Sequence, residues 1–533
     1  MNLANEIQAF VETAADGLFR RFCPQGRLPR IVGGYRQYDR TDSALLALGA
    51  RLPAAAPWMR GLLGDLTGAK YETWWSLWIA EALVATGERF DNHPLLRGFS
   101  DEQLDRLRRA LDTTHIVDVA HERLPGHPNN YWMVLARVER ARRRLGLQPD
   151  ATIQQLAERK TAELLAANAH GFLDDCRDGR GRYDSYTFHG FLTTEAYWDA
   201  LPAALVARVA AAHERLLLAT ARPDGGGVAW GRSADMTELA VLETAAALLR
   251  HGFATDRPRL VALAAHAFRR WRVNGWQDDA VMASRRGTHW YLGPFRLLER
   301  SLSVLAVLAR AAEDLRAVPE APGTVTFPAQ DVWLPFDDRG PGVWCYRQGA
   351  LDFQLPLVDG YTSDYVAAPV QPGFLEQPVD TELACGVPNV FCRGKRWLPL
   401  RRPEQVRWRP GELSWVTNGF TWFADHDWWK ANEDLPGRRA VTVRVAGNEI
   451  VGEEQWTFAE MPEALGMQWA ESATPLEVRW KCSVPHQAFA VAVAGMPDWR
   501  SYWRPQRVVH QLDLEPAREV RLRWRVSAAG ASR

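Results

Sequence analysis

The sequence predicts an α+β multidomain chain: an N-terminal (α/α) toroid of helical hairpins, then a C-terminal antiparallel β-sandwich. Three observations predict it. Apolar residues recur at helical spacing, segment after segment, up to about residue 316. The texture then breaks in AVPEAPGTVTFPAQDVWLPFDDRGPG, a run rich in Pro and Gly. Beyond it, short stretches alternate apolar and polar residues with the period of half-buried antiparallel strands. At 533 residues the chain is too long for one core. The breaks divide it into a helical catalytic domain over 1–316, a linker over 317–342 and a sandwich over 343–533.

The elements follow in order. MNLANEIQAFVETAADGLFRRF predicts an amphipathic helix with acidic residues inside it. It has neither a basic start nor an unbroken apolar stretch, so it is not read as a secretory signal, and a cytoplasmic location is expected. LLALGARL, SLWIAEALVATGERF, DEQLDRLRRALD, NYWMVLARVERARRRLGL, TIQQLAERKTAELLAANA, ALVARVAAAHERLLLATA, LAVLETAAALLRHGF and LVALAAHAFRRW each predict a helix. No sequence repeat of the tetratricopeptide kind is legible. The choice is therefore between an open solenoid and a closed ring. The unusual residues gather in the loops, which suits a ring with one functional rim. Strands are expected in GVWCYRQGALDFQLPLV, SWVTNGFTWFADH, RAVTVRVAGNEIVGEEQWTF, PLEVRWKCSV, QAFAVAVAG and REVRLRWRVSA.

Composition excludes several partners. Lys plus Arg and Asp plus Glu both number 64, a net charge of zero. That balance argues against a nucleic-acid or anionic-membrane surface, while leaving room for a local basic cleft. No window approaches the roughly 18 consecutive apolar residues of a membrane span. The six cysteines are scattered with no CxxC pair, which predicts reduced thiols and no structural zinc. The anomaly is the tryptophan content, 24 residues. Most belong to packing. The remainder suit a sugar cleft, because an indole face covers the apolar C–H face of a pyranose.

The residues able to do chemistry lie in a few stretches. In HPNNYWMVLARVERARRRLG, Asn129 and Asn130 open a strong helix. One asparagine meets the need for an N-cap and the second is free to face a ligand; Asn130 is taken as a catalytic candidate and Asn129 as a substrate contact. GRYDSYTFHGF packs Tyr183, Asp184, Tyr186 and His189 together, with the last two spaced i, i+3 on one helical face. RPDGGGVAWGRSADMTELA runs from three glycines into Trp230 and Arg232 without phosphate-loop spacing, and Arg232 is a candidate bidentate grip on a carboxylate. NGWQDDAVMASRRGTHWYLGPF adds Trp276, His289, Trp290 and Tyr291, and KYETWWSLWIAEAL adds Trp74 and Trp75 as further ligand contacts. The acid-rich run DDCRDGRGRYD reads as solvated loop charge or as the source of a second catalytic carboxylate. No GxSxG elbow, HExxH, strand-following GxGxxG or paired Cys/His spacing is present, so no metal and no organic cofactor are expected.

The blocks NNYWMVLARVERARRRLG, DGRGRYDSYTFHGF, DGGGVAWGRSADMTELA and LDFQLPLVDGYTSDYVAAPVQPGFLEQPVD resemble the bacterial domain-of-unknown-function family numbered 2264, in that family's order and over most of the chain. The family is similar in architecture to heparinase II/III-like and alginate-lyase-like (α/α)-toroid enzymes, and some relatives are assigned as exo-acting β-glucuronidases. This chain departs from the family pattern at Asp184 and Ser185, where relatives tend to carry an Asn-Pro pair.

The resemblance implies an enzyme whose partner is a uronate-containing oligosaccharide or polysaccharide, and two reactions fit the residues. In β-elimination, Asn130 neutralises the uronate carboxylate, Tyr186 or His189 moves the proton, Arg232 clamps the carboxylate and Tyr183 is the alternative to Tyr186. In hydrolysis, Asp184 pairs with Asp175, Asp178 or Asp235 across roughly 5 to 9.5 Å. Residue types favour elimination, whereas the family resemblance leans towards hydrolysis of glucuronides by an exo-acting enzyme. A non-catalytic glycan-binding protein that uses only the tryptophan-rich rim is the third reading.

Overall fold

The structure, a computed structural model, describes residues 2–22, 49, 52, 56–64, 73–148, 150–176, 178–184, 201–223, 225–231, 237–281, 294–319, 325–360, 365–375, 384–422, 433–494 and 506–530. The helical half contains α1 (Leu3–Phe22), α2 (Ala56–Gly64), α3 (Thr73–Thr86), α4 (Asp101–Ala110) and α5 (Asn130–Arg144). It continues through α6 (Ala151–Ala166), α7 (Ala203–Thr220), α8 (Thr237–Arg250), α9 (Arg257–Gly275) and α10 (Pro294–Leu315). Their starts are written locally. Ser100 and Gln103 form a reciprocal capping box on α4, Asp150 accepts from the Thr152 and Ile153 amides on α6, and Asp256 accepts from Arg259 on α9.

Packing follows the apolar stripes. Leu3, Ile7, Val11, Ala14 and Leu18 line one face of α1 and are buried against α10, so the first helix of this half lies on the last. Trp78 of α3 packs on the same cluster. Between them α3 packs on α5, α5 on α6, α6 on α7, α7 on α8, and α8 on both α9 and α10. Helices α2 and α10 are additions to the segments singled out in the sequence, and LLALGARL, apart from residues 49 and 52, lies outside the described residues. Among the described residues no helix is long and apolar enough to cross a membrane.

A short hairpin, β1 (Trp276–Gln277) and β2 (Ala280–Val281), joins α9 to the segment before α10. A three-stranded antiparallel sheet follows: β3 (Gln330–Pro335), β4 (Gly342–Gln348) and β5 (Leu351–Leu357). Strand β3 lies inside the Pro/Gly-rich stretch expected to be a linker. The rest of the chain supplies β6 (Asn389–Cys392), β7 (Lys395–Leu398), β8 (Glu404–Arg409), β9 (Glu412–Trp422), β10 (Asp434–Ala446) and β11 (Glu449–Phe458). It ends with β12 (Ala464–Ala470), β13 (Leu476–Cys482), β14 (His486–Ala494), β15 (Gln506–Leu514) and β16 (Glu519–Ala528). These form one antiparallel sheet of 11 strands in the order β13-β16-β11-β10-β9-β7-β6-β12-β15-β14, with β8 on β9. The alternation in VTVRVAGNEIV and VRLRWRV accordingly falls in β10, β11 and β16.

The small sheet is the middle layer. Along β4, Trp344 and Tyr346 face the large sheet, while Val343 and Cys345 face Phe172, Leu216 and Trp230 of the helical half. On β5, Gln354 points toward the helices, where it donates to the carbonyls of Thr220 at 3.1 Å and Gly227 at 2.7 Å and accepts from the Ala229 amide at 2.9 Å. Strands covered on both faces lose the strict polar alternation of a half-exposed sheet, which is why LDFQLPLV looks continuous in sequence. Inside the large sheet, Arg439 and Glu454 form a buried ion pair at 2.8 Å, and Glu454 also accepts from the indole N–H groups of Trp456 and Trp524.

Candidate functional site

The loop that carries DDCRDGRGRYD is folded by its own carboxylates. Gly179 (φ 61°) and Gly181 (φ 96°) take the left-handed backbone that closes the turn. Asp174 accepts from the amides of Cys176 at 2.9 Å, Gly181 at 2.7 Å and Arg182 at 3.0 Å, and from Arg339 of the β half at 3.0 Å. Burial raises its pKa despite these donors. Asp175 turns the other way, fully buried, and its Oδ1 accepts from the Asn130 amide at 3.0 Å. Asp175 therefore serves the start of α5. Asn129 does not cap it: its Nδ2 donates to the carbonyls of Asp174 at 2.8 Å and Cys176 at 2.9 Å. That spends the amide donors of Asn129 on the loop and gives it a structural role in place of the expected ligand contact.

Asn130 is the residue left with capacity. It is buried, its Nδ2 points at Asp175 Oδ2 from 3.5 Å, and its Oδ1 meets no hydrogen-bond partner among the described residues. A buried acceptor without a partner costs about 1–3 kcal/mol, so its persistence calls for a reason. Arg182 lies beside it, 3.7 Å from Asp175 and 5.8 Å over the Tyr365 ring. Burial disfavours its charged form, yet Tyr365, Asp175, Asp184 and Cys176 together hold the guanidinium pKa well above its usual value. Tyr365 donates its hydroxyl to Asp184, which is fully buried. Gly231 closes the arrangement: its φ is +82°, and a Cβ there would stand 2.4 Å from the Asp184 Cβ. The three sequence-distant stretches thus meet in two contacts, Asn130 with Asp175 and Gly231 with Asp184.

The other predicted residues divide. Tyr186, His189, Arg232, His289, Trp290 and Tyr291, and the Trp75 side chain, lie outside the described residues. Trp74 stands edge-on to Tyr131 at 6.5 Å, and His127 stacks on the same ring at 4.4 Å, next to Asn130 in sequence. Tyr183 is corrected to a packing residue. It is fully buried, donates to Asp337 at 2.9 Å and accepts from Asn168 at 3.1 Å; burial, with Asp174 and Asp337 nearby, pushes its phenol far up. Trp230 is corrected likewise: its ring is buried against Phe336, and its N–H donates to the Tyr183 carbonyl at 2.9 Å. Trp276 packs edge-on against Phe10 at 5.8 Å, in the cluster of α1 and α10. The acidic run is solvated only in part. Asp178 is exposed, whereas Asp174 and Asp175 are drawn inward by backbone amides. Arg182 and Tyr365 were missed, and the signal for Arg182 was a run in which two glycines flank the charges.

Next to this cluster Asp359 donates its amide to the Gly181 carbonyl at 3.0 Å and accepts from the Arg402 amide at 3.1 Å, while its Oδ1 is buried without a partner among the described residues. Burial pushes its carboxyl up to about 7, against the pull of Arg401, the Arg402 amide and Arg180 and with the push of Asp174. An unfolded aspartate titrates near ~3.9, so between that pH and about 7 the folded chain holds a proton the unfolded chain lacks. The stability this contributes is fully present below the unfolded value and is lost as pH rises through about 7. Asp359→Asn keeps the shape without the charge. The variant melts at the same temperature as the parent near pH 4, and increasingly above it up to pH 8; a gap independent of pH in thermal melts contradicts this.

No family model matches the chain, and no curated protein matches it. Among solved structures it is similar to heparinase III, covering 86% of this chain and 70% of that one at 10% identity, with a TM-score of 0.45. It is similar to a chondroitin AC lyase of Streptomyces coelicolor A3 solved with chondroitin sulphate, covering 97% of this chain and 83% of that one at 14% identity and a TM-score of 0.46. A Bacteroides vulgatus glycosyl hydrolase of family 88 covers 57% of this chain and 99% of its own at 10% identity and a TM-score of 0.34.

Proposed function

We propose that the chain is a carbohydrate-active enzyme that cleaves uronate-containing oligo- or polysaccharides by β-elimination, at the rim of a helical ring where Asn130 contacts Asp175 and Gly231 contacts Asp184. The packing of α1 on α10 supports the closed ring. The observation that carries the chemistry is Asn130, a buried carboxamide steadied by Asp175 whose Oδ1 has no partner among the described residues.

The difficulty of elimination lies at C5. Removing that proton from a charged uronate places a second negative charge beside the first. A primary carboxamide answers this directly, because it pairs with a neutral carboxyl group by two bonds: the acid O–H donates to Oδ1 and an Nδ2 hydrogen donates to the carbonyl oxygen. A carboxylate can use only one of the two. Asn130 thus favours the protonated acid and the enediol that follows proton removal, an interaction stronger in the transition state than in the ground state. Tyr186 or His189 takes the C5 proton and a tyrosine returns one to the leaving oxygen, while Arg232 grips the sugar. The segments carrying them leave from Asp184 and Gly231, which touch. Hydrolysis draws less support, since the carboxylates of Asp175 and Asp184 are already engaged, one by the Asn130 amide and the other by the Tyr365 hydroxyl.

A screen of uronate-bearing oligosaccharides decides the matter when read both by ultraviolet absorbance of a 4,5-unsaturated product and by release of reducing ends. Absorbing product that disappears in Tyr186→Phe is the expected result. Reducing ends without absorbance, lost in Asp184→Asn, would instead mean hydrolysis.

A further inference from the structure

The large sheet carries a groove on the face turned away from β3–β5. It is a groove of about 660 Å³, within the range of ligand sites, and it crosses β8, β9, β10, β11, β16 and β13. Strand register explains it. Arg407 pairs with Ser414, Ser414 with Thr442, Thr442 with Glu453, Glu453 with Arg523, and Arg523 with Lys481. Paired residues point to the same side of a sheet, so these six form one row across the strands. The neighbours on the opposite face, among them Leu413, Val441 and Leu522, are core. Ser414 and Thr442 are short and lie within the row, whereas long cationic side chains stand at both ends. A trough with charged shoulders results, spanning five strand spacings, or roughly 24 Å.

The charge in this trough is one-sided. Glu453 pairs with Arg444 and lies 3.6 Å from Arg523. Arg407, Lys481 and Arg521 are exposed and form no ion pair among the described residues. Cations held apart on a rigid sheet, with hydroxyls between them, match an extended ligand that repeats both negative charge and hydroxyl groups. No ring platform for stacked bases lines the row, since the Trp415 side chain belongs to the core beneath, so a single-stranded nucleic acid is the poorer fit.

We propose that this groove binds a carboxylated or sulfated glycan chain as a second subsite on the sheet, distinct from the cluster around Asn130. The inference rests on the reading of the protein as one that handles anionic glycans, and it extends that reading from cleavage to retention of a long substrate.

The test uses the full chain carrying Asn130→Ala, titrated with size-defined heparin and chondroitin sulphate oligosaccharides, neutral dextran and a single-stranded oligonucleotide. Adding Arg407→Ala, Lys481→Ala and Arg521→Ala is expected to weaken heparin or chondroitin binding at least tenfold, with unchanged melting. The matching lysine variants of the two arginines keep most of the affinity, binding falls as salt rises, and dextran does not bind. On the otherwise native chain, the triple change raises KM for polymer and leaves turnover of a short oligosaccharide as it was. Undiminished affinity in the triple variant, or tighter binding of the oligonucleotide than of either glycan, overturns the proposal. A chain that binds through the groove yet cleaves nothing refutes the elimination reading alone. One that cleaves, with affinity indifferent to the triple change, refutes the groove alone.

Discussion

Asn130→Ala is expected to lower kcat on a uronate oligosaccharide by about 100- to 1,000-fold, the usual cost of removing one preorganised group that stabilises developing charge. KM should move little, because the two-bond pairing described above is made by the neutral acid and the enediol and not by the bound carboxylate. The proposed step also makes a second expectation. Asp175→Asn keeps an acceptor for the Asn130 amide but removes the charge beside Arg182, so the loss in kcat should be smaller and of the same kind. Steady-state kinetics separate the outcomes. A rise in KM with kcat intact would make Asn130 a ground-state contact and end its assignment as neutraliser.

Glu454→Ala should destabilise the chain by about 3–5 kcal/mol, the typical cost of removing one partner of a buried pair. Glu454 is the common acceptor of the Arg439 guanidinium and of two indole N–H groups, those of Trp456 at 2.7 Å and Trp524 at 2.9 Å. Its removal strands a buried cation and two buried donors together. Arg439 keeps its bonds to the carbonyls of Ala367 and Gly386, which cannot balance its charge. Replacing both residues of the pair by Met should recover part of the loss, since the cation goes too, but not all, since both indoles still lack an acceptor. Denaturant unfolding of the two variants measures it. A single-variant loss below about 1 kcal/mol would mean the pair is solvated in a way its burial denies.

What could be read from the chain alone follows from locality. Seven of the eight helical windows hold described helices because a stripe at i, i+3 and i+4 needs only its own segment to declare itself. The alternation in β10 and β16 is as local. Where the reading went astray, a non-local fact was at work. Trp230 and Tyr183 look like ligand contacts until Phe336, more than a hundred residues away, covers both rings. Asn129 looks like a cap until the loop carrying Asp174 takes its amide.

Sequence by itself determined the order of the two halves, the lack of a phosphate-loop or serine-elbow motif, and the three stretches in which unusual residues gather. The contacts of Asn130 with Asp175 and of Gly231 with Asp184 were decided by tertiary structure, and so was the row from Arg407 to Lys481. The physical reason is that charge and hydrogen-bonding capacity belong to a residue, whereas burial, register and the partner that consumes that capacity belong to the folded chain.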